Sequence, residues 1–192
     1  MKDKDMQLPR LIGICGNPRS GKSEAQRILK EQYGVQPVDD GFALRHFAVR
    51  HLGLSWEDVQ TQEGKARYTD ILGGTWQNRE ILGELGNKLE GMFGEHIMPF
   101  MATRGLPAEG SFSFGSVRKL QGEFFRAQGG VVIEISNPLA PPSPYDFDWY
   151  SREAVNFTIE NDALARGLPA EEARLDLAAK IHELALRMVE SS

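Results

Sequence analysis

Cysteine is nearly absent from this chain of 192 residues, which contains a single one, Cys15. A single thiol forms no disulfide within the chain, and the sequence has no zinc-type Cys/His spacing. A disulfide scaffold and a zinc module are therefore excluded. Cys15 lies in an apolar run, where a lone thiol is typical of packing. It also fits the reducing conditions of the cytoplasm, where we expect the protein.

Long apolar runs and a strong excess of one charge are missing as well. Residues 1–9 are expected to form a mobile leader, and their charges and the short apolar run that follows indicate no secretion signal. No stretch has the length of a transmembrane helix. The net charge of −5 argues against binding to a nucleic acid polymer or an anionic membrane. Small anionic substrates remain possible, because lysines and arginines can cluster locally.

The sequence does contain an ordinary globular composition, with 41% hydrophobic and 26% charged residues, and one specific motif. Residues 16–23 read G-x-x-x-x-G-K-S, the P-loop or Walker A pattern. The apolar residues 11–15 before it suit a buried parallel strand, and residues 24–32 after it suit a helix. Because the motif requires this strand–turn–helix context, a nucleoside triphosphate is the expected ligand.

The chemistry of the motif comes largely from its backbone. The N–H groups of the turn and the positive end of the helix dipole form an anion site, and glycine lets the chain fold closely around phosphate oxygens. The Lys22 ammonium can reach the β- and γ-phosphates of ATP, and the Ser23 hydroxyl can bind Mg²⁺. The residues assigned to ATP in this stretch are Gly16, Asn17, Ser20, Gly21, Lys22, Ser23 and Glu24.

Strands and helices alternate along the rest of the chain. Further strands are predicted at 35–38, 111–117, 131–135 and 155–159. Helices are predicted at 42–52, after Ser55, from 73–79 with Thr75 as a cap, at 86–101 with a break at Gly94, at 118–128 and at 169–188. This order predicts one α/β domain of the P-loop NTPase class, with a parallel five-stranded sheet flanked by helices and a helical insertion at about 56–103.

Two segments near the end of the chain carry their own predictions. Residues 137–145 are rich in proline, which fits neither a helix nor a central strand, so a surface loop is expected. The final helix has a stripe of apolar side chains at helical spacing. The positions expected to face the core are Leu175, Leu177, Ala178, Ile181, Leu184 and Leu186.

Charged and aromatic residues after the second strand are candidates for substrate contacts. Asp39 and Asp40 follow this strand at the edge where α/β folds bind ligands, but capping the next helix is an equally good explanation. In that helix, Arg45 projects away from the apolar side that includes Phe42, and it is a candidate for an anionic substrate. Arg79 lies on the polar side of a later helix, where an arginine is usually just solvated.

The order of these features resembles the phage-type deoxynucleoside monophosphate kinases, a branch of the P-loop nucleoside monophosphate kinases. The resemblance covers about residues 11–188. Residues 42–45 resemble the family's F-A-x-x-L-K, and residues 76–86 its R-x-x-L-Q-x-L-G. Residues 116–132 resemble D-V-R-x-x-x-E…G-G-x-V-I, and residues 159–162 resemble I-x-N-D-G. Three departures are Ser116 in place of the aspartate, Gly83 near the place of the glutamine, and Ala163 in place of the glycine after Asp162.

The resemblance implies ATP- and Mg²⁺-dependent phosphoryl transfer to a (deoxy)nucleoside monophosphate. In the mechanism expected with it, Lys22, the P-loop amides and Ser23-bound Mg²⁺ hold ATP, and Arg118 offsets charge on the transferred phosphoryl group. Asp39 or Asp40 orients the acceptor or a magnesium-bound water. Arg45 and Arg79 are expected to grip the acceptor's monophosphate, within an insertion that closes over it. The remaining assignments are Phe42 and Asp40 to the acceptor and Asn161 to the region of the adenine. Related kinases are often dimers or monomers, so a homodimer is possible.

Two other functions are consistent with the same residues. One is a nucleotide-binding protein with little turnover, which Ser116 favours because a carboxylate for Mg²⁺ or its water shell is missing there. The other is a P-loop kinase for a different small acceptor, such as dephospho-coenzyme A or a nucleoside. The acceptor pocket distinguishes these possibilities, and the sequence does not resolve that pocket.

Overall fold

A computed structural model describes residues 6–144 and 148–190 of the chain. Residues 1–5 of the expected leader and Tyr145 of the proline-rich loop lie outside these ranges. Within them, none of the helices is both long and apolar enough to span a membrane. The strands are β1 (Leu11–Cys15), β2 (Gln36–Val38), β3 (Tyr68–Ile71), β4 (Gly74–Gln77), β5 (Phe112–Phe114), β6 (Val131–Ser136) and β7 (Phe157–Glu160).

Helices lie between most of these strands. They are α1 (Lys22–Tyr33), α2 (Phe42–Leu52), α3 (Trp56–Gln60), α4 (Gln62–Ala66), α5 (Asn78–Phe93), α6 (Ile97–Thr103), α7 (Gln121–Ala127) and α8 (Ala170–Glu190). A 3₁₀ turn at Arg152–Ala154 precedes β7. Residues 137–144 form a loop, as predicted.

Five strands form one parallel sheet in the order β2-β5-β1-β6-β7. The apolar strand β1 lies at its centre, where Ile12 pairs with Ser113 of β5 on one side and with Val131 of β6 on the other. All five residues of β1 are buried, as a strand covered on both faces requires. The prediction of an α/β fold with a parallel five-stranded sheet is confirmed.

Helices cover both faces of this sheet. On one face, Ile12 and Ile14 belong to a core with residues of α1 and α8, including Leu29 and Ile181. On the other face lies α7, because a Cβ added at Gly13 would lie 3.1 Å from the Phe125 ring. The first unit of the fold, residues 1–38 with 107–192, therefore has the layered core expected of alternating strands and helices.

Residues 39–106 form a second compact unit. Its small core contains Ala48, Leu54, Val59 and Ile81. Besides α2–α6 it contains an antiparallel hairpin of β3 and β4. Gly94, with φ +85°, follows α5 at the predicted break.

The prediction that residues 73–79 open a helix capped by Thr75 is wrong. Leu72 and Gly73 have φ values of 51° and 81°, and a two-residue turn with positive φ at both positions matches the twist of a β-hairpin. Thr75 therefore lies in β4. The helix α5 begins only at Asn78, where Gln77 and Glu80 form a capping box.

Two of the residues predicted to face the core from α8 do not. Leu175 and Leu186 are 66% and 44% exposed, whereas Leu177, Ile181 and Leu184 are buried. The buried positions of α8 are Ala173, Leu177, Ile181, Leu184, Ala185 and Met188. Their spacing of three or four residues follows one side of the helix, and Leu175 and Leu186 fall off it.

These two environments on one helix give a matched stability test. We expect Leu177→Ala to lower the free energy of unfolding by about 2–5 kcal/mol, because it removes a buried side chain and leaves a cavity. Leu175→Ala makes the same change at an exposed position and is expected to stay within about 0.5 kcal/mol of the wild type. Urea denaturation followed by circular dichroism measures both, and equal losses would contradict this assignment of the buried side.

Candidate nucleotide-binding site

The loop between β1 and α1 requires glycine at both ends. Gly16 and Gly21 have φ values of 137° and 109°, a region that residues with side chains rarely adopt. A Cβ at Gly16 would lie 2.3 Å from the carbonyl oxygen of Ile135, and one at Gly21 would lie 2.5 Å from Nδ2 of Asn161. The loop thus passes so close to β6 and to Asn161 that only glycine fits.

The loop leads directly into the first turn of α1. Gly21 is the N-cap residue, and no side chain in the described part of the chain caps this helix. Its first N–H groups therefore face the loop without a side-chain acceptor, which is the arrangement that binds anions in this motif. Ser23 is exposed in this turn, so its hydroxyl is accessible to a ligand.

Lys22 spans the loop from the start of α1. Its Nζ donates hydrogen bonds to the carbonyl oxygens of Gly16, at 2.7 Å, and Asn17, at 2.8 Å. Burial lowers the pKa of Lys22; the Asp148 carboxylate opposes this change and the Arg118 guanidinium adds to it. The amine therefore lies over the turn of the P-loop motif, and its contact with a phosphate stays a prediction.

The two remaining P-loop predictions concern Ser20 and Glu24. The Ser20 side chain is buried, and its Oγ has no hydrogen-bond partner among the described residues. Glu24 forms ion pairs with Arg27 and Arg174, and the hydrogen bond from Arg27 contributes most to holding its pKa below the usual value. Glu24 is thus engaged with α1 and α8, and its contact with nucleotide stays a prediction.

Asn161 supports the loop from the end of β7. Its Nδ2 donates to the carbonyl oxygen of Ser20 at 2.9 Å, and its backbone N–H donates to Ser136. This contact joins the end of β7 to the P-loop turn. The predicted position of Asn161 near adenine stays a prediction.

The structure pairs Arg118 with Asp148, and the charges of both act on Lys22. The Arg118 Nε lies 3.0 Å from Asp148 Oδ1, and the Asp148 side chain is only 14% exposed. Both groups act electrostatically on Lys22. The sequence predicts Arg118 at this site, and its role in transfer stays a prediction. Nothing in the sequence indicated Asp148.

A buried carboxylate, Glu134, interrupts the apolar residues of β6. It accepts hydrogen bonds from the hydroxyl of Tyr150 at 2.5 Å and from Thr158 at 3.1 Å, and it pairs with Arg152 at 3.2 Å. Burial and this hydrogen bond raise the pKa of Tyr150 above its ordinary value. A glutamate within a buried strand was the available signal for this cluster.

Cys15 lies opposite Glu134 in the register of β1 and β6. Its Sγ is 3.6 Å from the carbonyl oxygen of Ile133. Burial, together with the Glu134 charge, raises the pKa of the thiol to about 12. The residue is part of the packed interior, as predicted from its apolar run.

In the second unit, Asp39 and Arg45 pair with each other. Arg45 Nε lies 3.2 Å from Asp39 Oδ2, and Asp39 Oδ1 accepts the N–H of Gly41 at 3.2 Å. The N-cap residue of α2 is Gly41 and no side chain of the described residues caps it, so neither Asp39 nor Asp40 is that cap. The acceptor roles of Asp39, Asp40 and Arg45 stay predictions.

The same unit carries Phe42 and Arg79. The Phe42 ring is 51% exposed and stacks on Trp56, with ring centroids 5.9 Å apart and an interplanar angle of 18°. Arg79 Nη2 donates to Gln62 Oε1 at 2.7 Å. Both side chains retain the chemistry predicted for acceptor binding, an aromatic face and a guanidinium, and this use of them stays a prediction.

No preformed cluster of three or more His, Cys, Asp or Glu side chains suited to a metal occurs within residues 6–144 and 148–190. Ser23, in the first turn of α1, is the residue that the motif offers to a magnesium ion. Ser116, after β5, offers a hydroxyl where the resembling family has a carboxylate.

Comparison with known proteins shows little. No protein-family model matches the chain, and no curated protein sequence matches it. Among solved structures, the shikimate kinase from Aquifex aeolicus vf5 is similar at 14% sequence identity and a TM-score of 0.39. That match covers 92% of this chain and 98% of that chain. A likeness this distant carries no argument about function, which depends on the site itself.

Proposed function

We propose that this protein transfers the γ-phosphoryl group of ATP to a small acceptor, and that the acceptor is a (deoxy)nucleoside monophosphate. The observation that carries the first part is the Lys22 amine, held over a glycine-bounded turn at the start of α1. The sequence motif, the two constrained glycines and the uncapped helix all favour a polyphosphate ligand.

The residues present fit ATP with Mg²⁺. The turn supplies backbone N–H groups, Lys22 supplies a positive charge, and Ser23 supplies an exposed hydroxyl in the first turn of α1. When bound, Mg²⁺ would neutralise charge on the β- and γ-phosphates. Because Ser116 provides no carboxylate, Ser23 is the protein ligand that we assign to the metal.

Phosphoryl transfer requires little covalent chemistry from a protein. It requires the reacting groups in line and positive charge around the transferred group. We assign Lys22 and Arg118 to that charge, since both are cations and the Arg118 charge acts on Lys22. Lys22 and the turn hold the donor, and Arg118 offsets charge that develops on the transferred phosphoryl group.

The acceptor assignment depends on the family resemblance and on residues 39–106. Arg45 and Arg79 are proposed to bind the acceptor's phosphate, because a guanidinium can bind phosphate through two parallel hydrogen bonds. The exposed face of Phe42 suits a nucleobase, since aromatic rings stack on bases. Asp39, paired with Arg45, is proposed to orient that arginine or the acceptor.

An acceptor screen tests the proposal. We expect ADP to form from ATP and Mg²⁺ only when a nucleoside monophosphate is added, with a preference among dAMP, dGMP, dCMP and dTMP. A coupled ADP assay measures this, and a parallel series with dephospho-coenzyme A and with nucleosides tests other acceptor classes. Folded protein that forms no ADP with any monophosphate would contradict the acceptor assignment.

Ser116 favours a second candidate, a nucleotide-binding protein with little turnover. It predicts ATP or ADP binding by calorimetry, with no stimulation of hydrolysis by any acceptor. The same screen separates the two functions, because only the kinase gives acceptor-dependent ADP.

A further inference from the structure

Asp148 lies between β6 and β7 in the chain, and its charge acts on Lys22 of the P-loop. The Asp148 carboxylate binds Arg118 Nε at 3.0 Å, and it also accepts the hydroxyl of Ser143. An exposed ion pair on a protein surface contributes little to structure. This carboxylate is mostly buried, so its place beside Arg118 is set by the fold.

The backbone after Asp148 is paired with the backbone after Arg118. The N–H of Lys119 donates to the carbonyl oxygen of Trp149 at 2.5 Å, and the N–H of Ser151 donates to that of Lys119 at 2.9 Å. Lys119 and Tyr150 form a parallel bridge. Residues 149–151 therefore run alongside Lys119, the neighbour of Arg118, through a single parallel bridge.

Lys119 adopts an uncommon backbone conformation at this point, with φ 48°. Such a conformation in a residue with a side chain costs energy and persists where the surroundings fix it, which happens often at functional sites. Here the two hydrogen bonds to residues 149 and 151 fix it. The direction in which Arg118 leaves the chain is thereby coupled to residues 148–152.

The buried carboxylate of Glu134 fastens the same segment to the sheet. It binds the Tyr150 hydroxyl at 2.5 Å and Arg152 at 3.2 Å. A buried carboxylate with several charge-assisted or hydroxyl partners gives a well-defined geometry. Glu134 on β6 thus sets the place of Tyr150, and with it the place of Asp148 two residues earlier.

We propose that Asp148 is a positioning residue that holds the Arg118 guanidinium in one orientation, and that residues 148–152, bound to Glu134 and Lys119, support it. A negative charge near a phosphate site opposes anion binding in the ground state. Asp148 can nevertheless serve a phosphate-binding protein through the cation that it orients. The use of this orientation for the transferred phosphoryl group rests on the proposed function.

A double-mutant cycle on binding tests the inference without requiring turnover. Calorimetry with ATP and with pyrophosphate is run on the wild type, Arg118→Ala, Asp148→Asn and the double variant. If Asp148 orients Arg118, we expect Arg118→Ala to weaken binding by roughly tenfold in the wild type, the order of a lost charged hydrogen bond. In the Asp148→Asn background the same change is expected to cost less than about twofold.

Matched variants separate orientation from charge and from folding. Asp176→Asn removes a carboxylate of α8 that pairs with Lys180 and Arg166, and it is expected to leave the Arg118→Ala factor at roughly tenfold. With Asp148→Glu as the background, the affinity loss caused by Arg118→Ala should be larger than with Asp148→Asn but smaller than in the wild type. Tyr150→Phe should reduce it, whereas Tyr33→Phe, which removes a hydroxyl bonded to His182 at 2.7 Å, should not.

The outcomes decide the inference in each case. Equal Arg118→Ala factors in the wild-type and Asp148→Asn backgrounds, or no binding of ATP and pyrophosphate by folded wild type, overturn it. If the Arg118→Ala loss of affinity is smaller in the Asp148→Asn background and the protein shows no turnover, the positioning role is supported while the kinase proposal fails. If the protein turns over, we expect Asp148→Asn to lower kcat about tenfold, because Arg118 is no longer oriented. KM for ATP is not expected to rise, because the substitution also removes a negative charge that opposes ATP binding.

Discussion

Replacing Lys22 by methionine is expected to lower kcat for phosphoryl transfer by about 10²–10³-fold, the loss typical of removing one preorganised electrostatic donor. The Lys22 amine lies over the carbonyl oxygens of Gly16 and Asn17, at the turn where the phosphates are proposed to bind. Methionine keeps most of the aliphatic stem and removes the charge. The coupled ADP assay with the best acceptor from the screen measures the change.

Lys30 provides the matched control for this variant. It is an exposed lysine in the last turn of the same helix, so Lys30→Met removes one positive charge far along α1 from the P-loop. We expect its kcat to stay within about twofold of the wild type, as for a surface substitution. Similar losses in the two variants would contradict the assignment of Lys22 to the transferred group.

The second large effect is expected for Gly16→Ala. The added methyl would lie 2.3 Å from the carbonyl oxygen of Ile135 and 2.8 Å from Ser20 Oγ, so the loop or β6 must move. The left-handed backbone adds about 1–2 kcal/mol of strain, and overpacking adds about 1–3 kcal/mol. We expect a loss of about 2–5 kcal/mol in the free energy of unfolding and at least a tenfold loss of ATP affinity.

Gly34→Ala isolates the backbone strain from the collision. Gly34, after α1, also has a positive φ, of 73°, but nothing lies within 4 Å of an added methyl. It should lose only the strain, about 1 kcal/mol, and keep the wild-type affinity for ATP. Urea denaturation and calorimetry on both variants test the difference, and equal effects would show that Gly16 is not constrained by β6.

The parts of the fold that the sequence predicts are those with local signals. Residues 11–15 are continuous apolar residues followed by G-x-x-x-x-G-K-S, and each observed boundary of β1 agrees with that run. The hairpin was missed because one of its turn residues, Leu72, has no side-chain property that indicates a positive φ. Its neighbours Gly73 and Gly74 are equally compatible with the start of a helix.

The parts of the site that the sequence predicts follow the same rule. Gly16, Gly21 and Lys22 are recognised because their roles depend on neighbours within one motif. Asp148 is not recognised, because it meets Arg118 only after the chain has passed through α7, β6 and the loop that follows. Such a pair depends on strand order and on the backbone pairing of Lys119, which no local pattern encodes.

The single thiol at the end of β1 allows the opening of the sheet at its central strand to be measured by chemical modification. Its side chain is 1% exposed and burial raises the pKa of Cys15 to about 12. In the folded protein Cys15 is therefore protected from alkylating reagents, since the thiolate is the reactive form. Alkylation of Cys15 therefore requires β1 to separate from its neighbouring strands, and each molecule is alkylated once when that happens. The rate of Cys15 alkylation, compared with and without ATP, measures how much the ligand stabilises the sheet against opening.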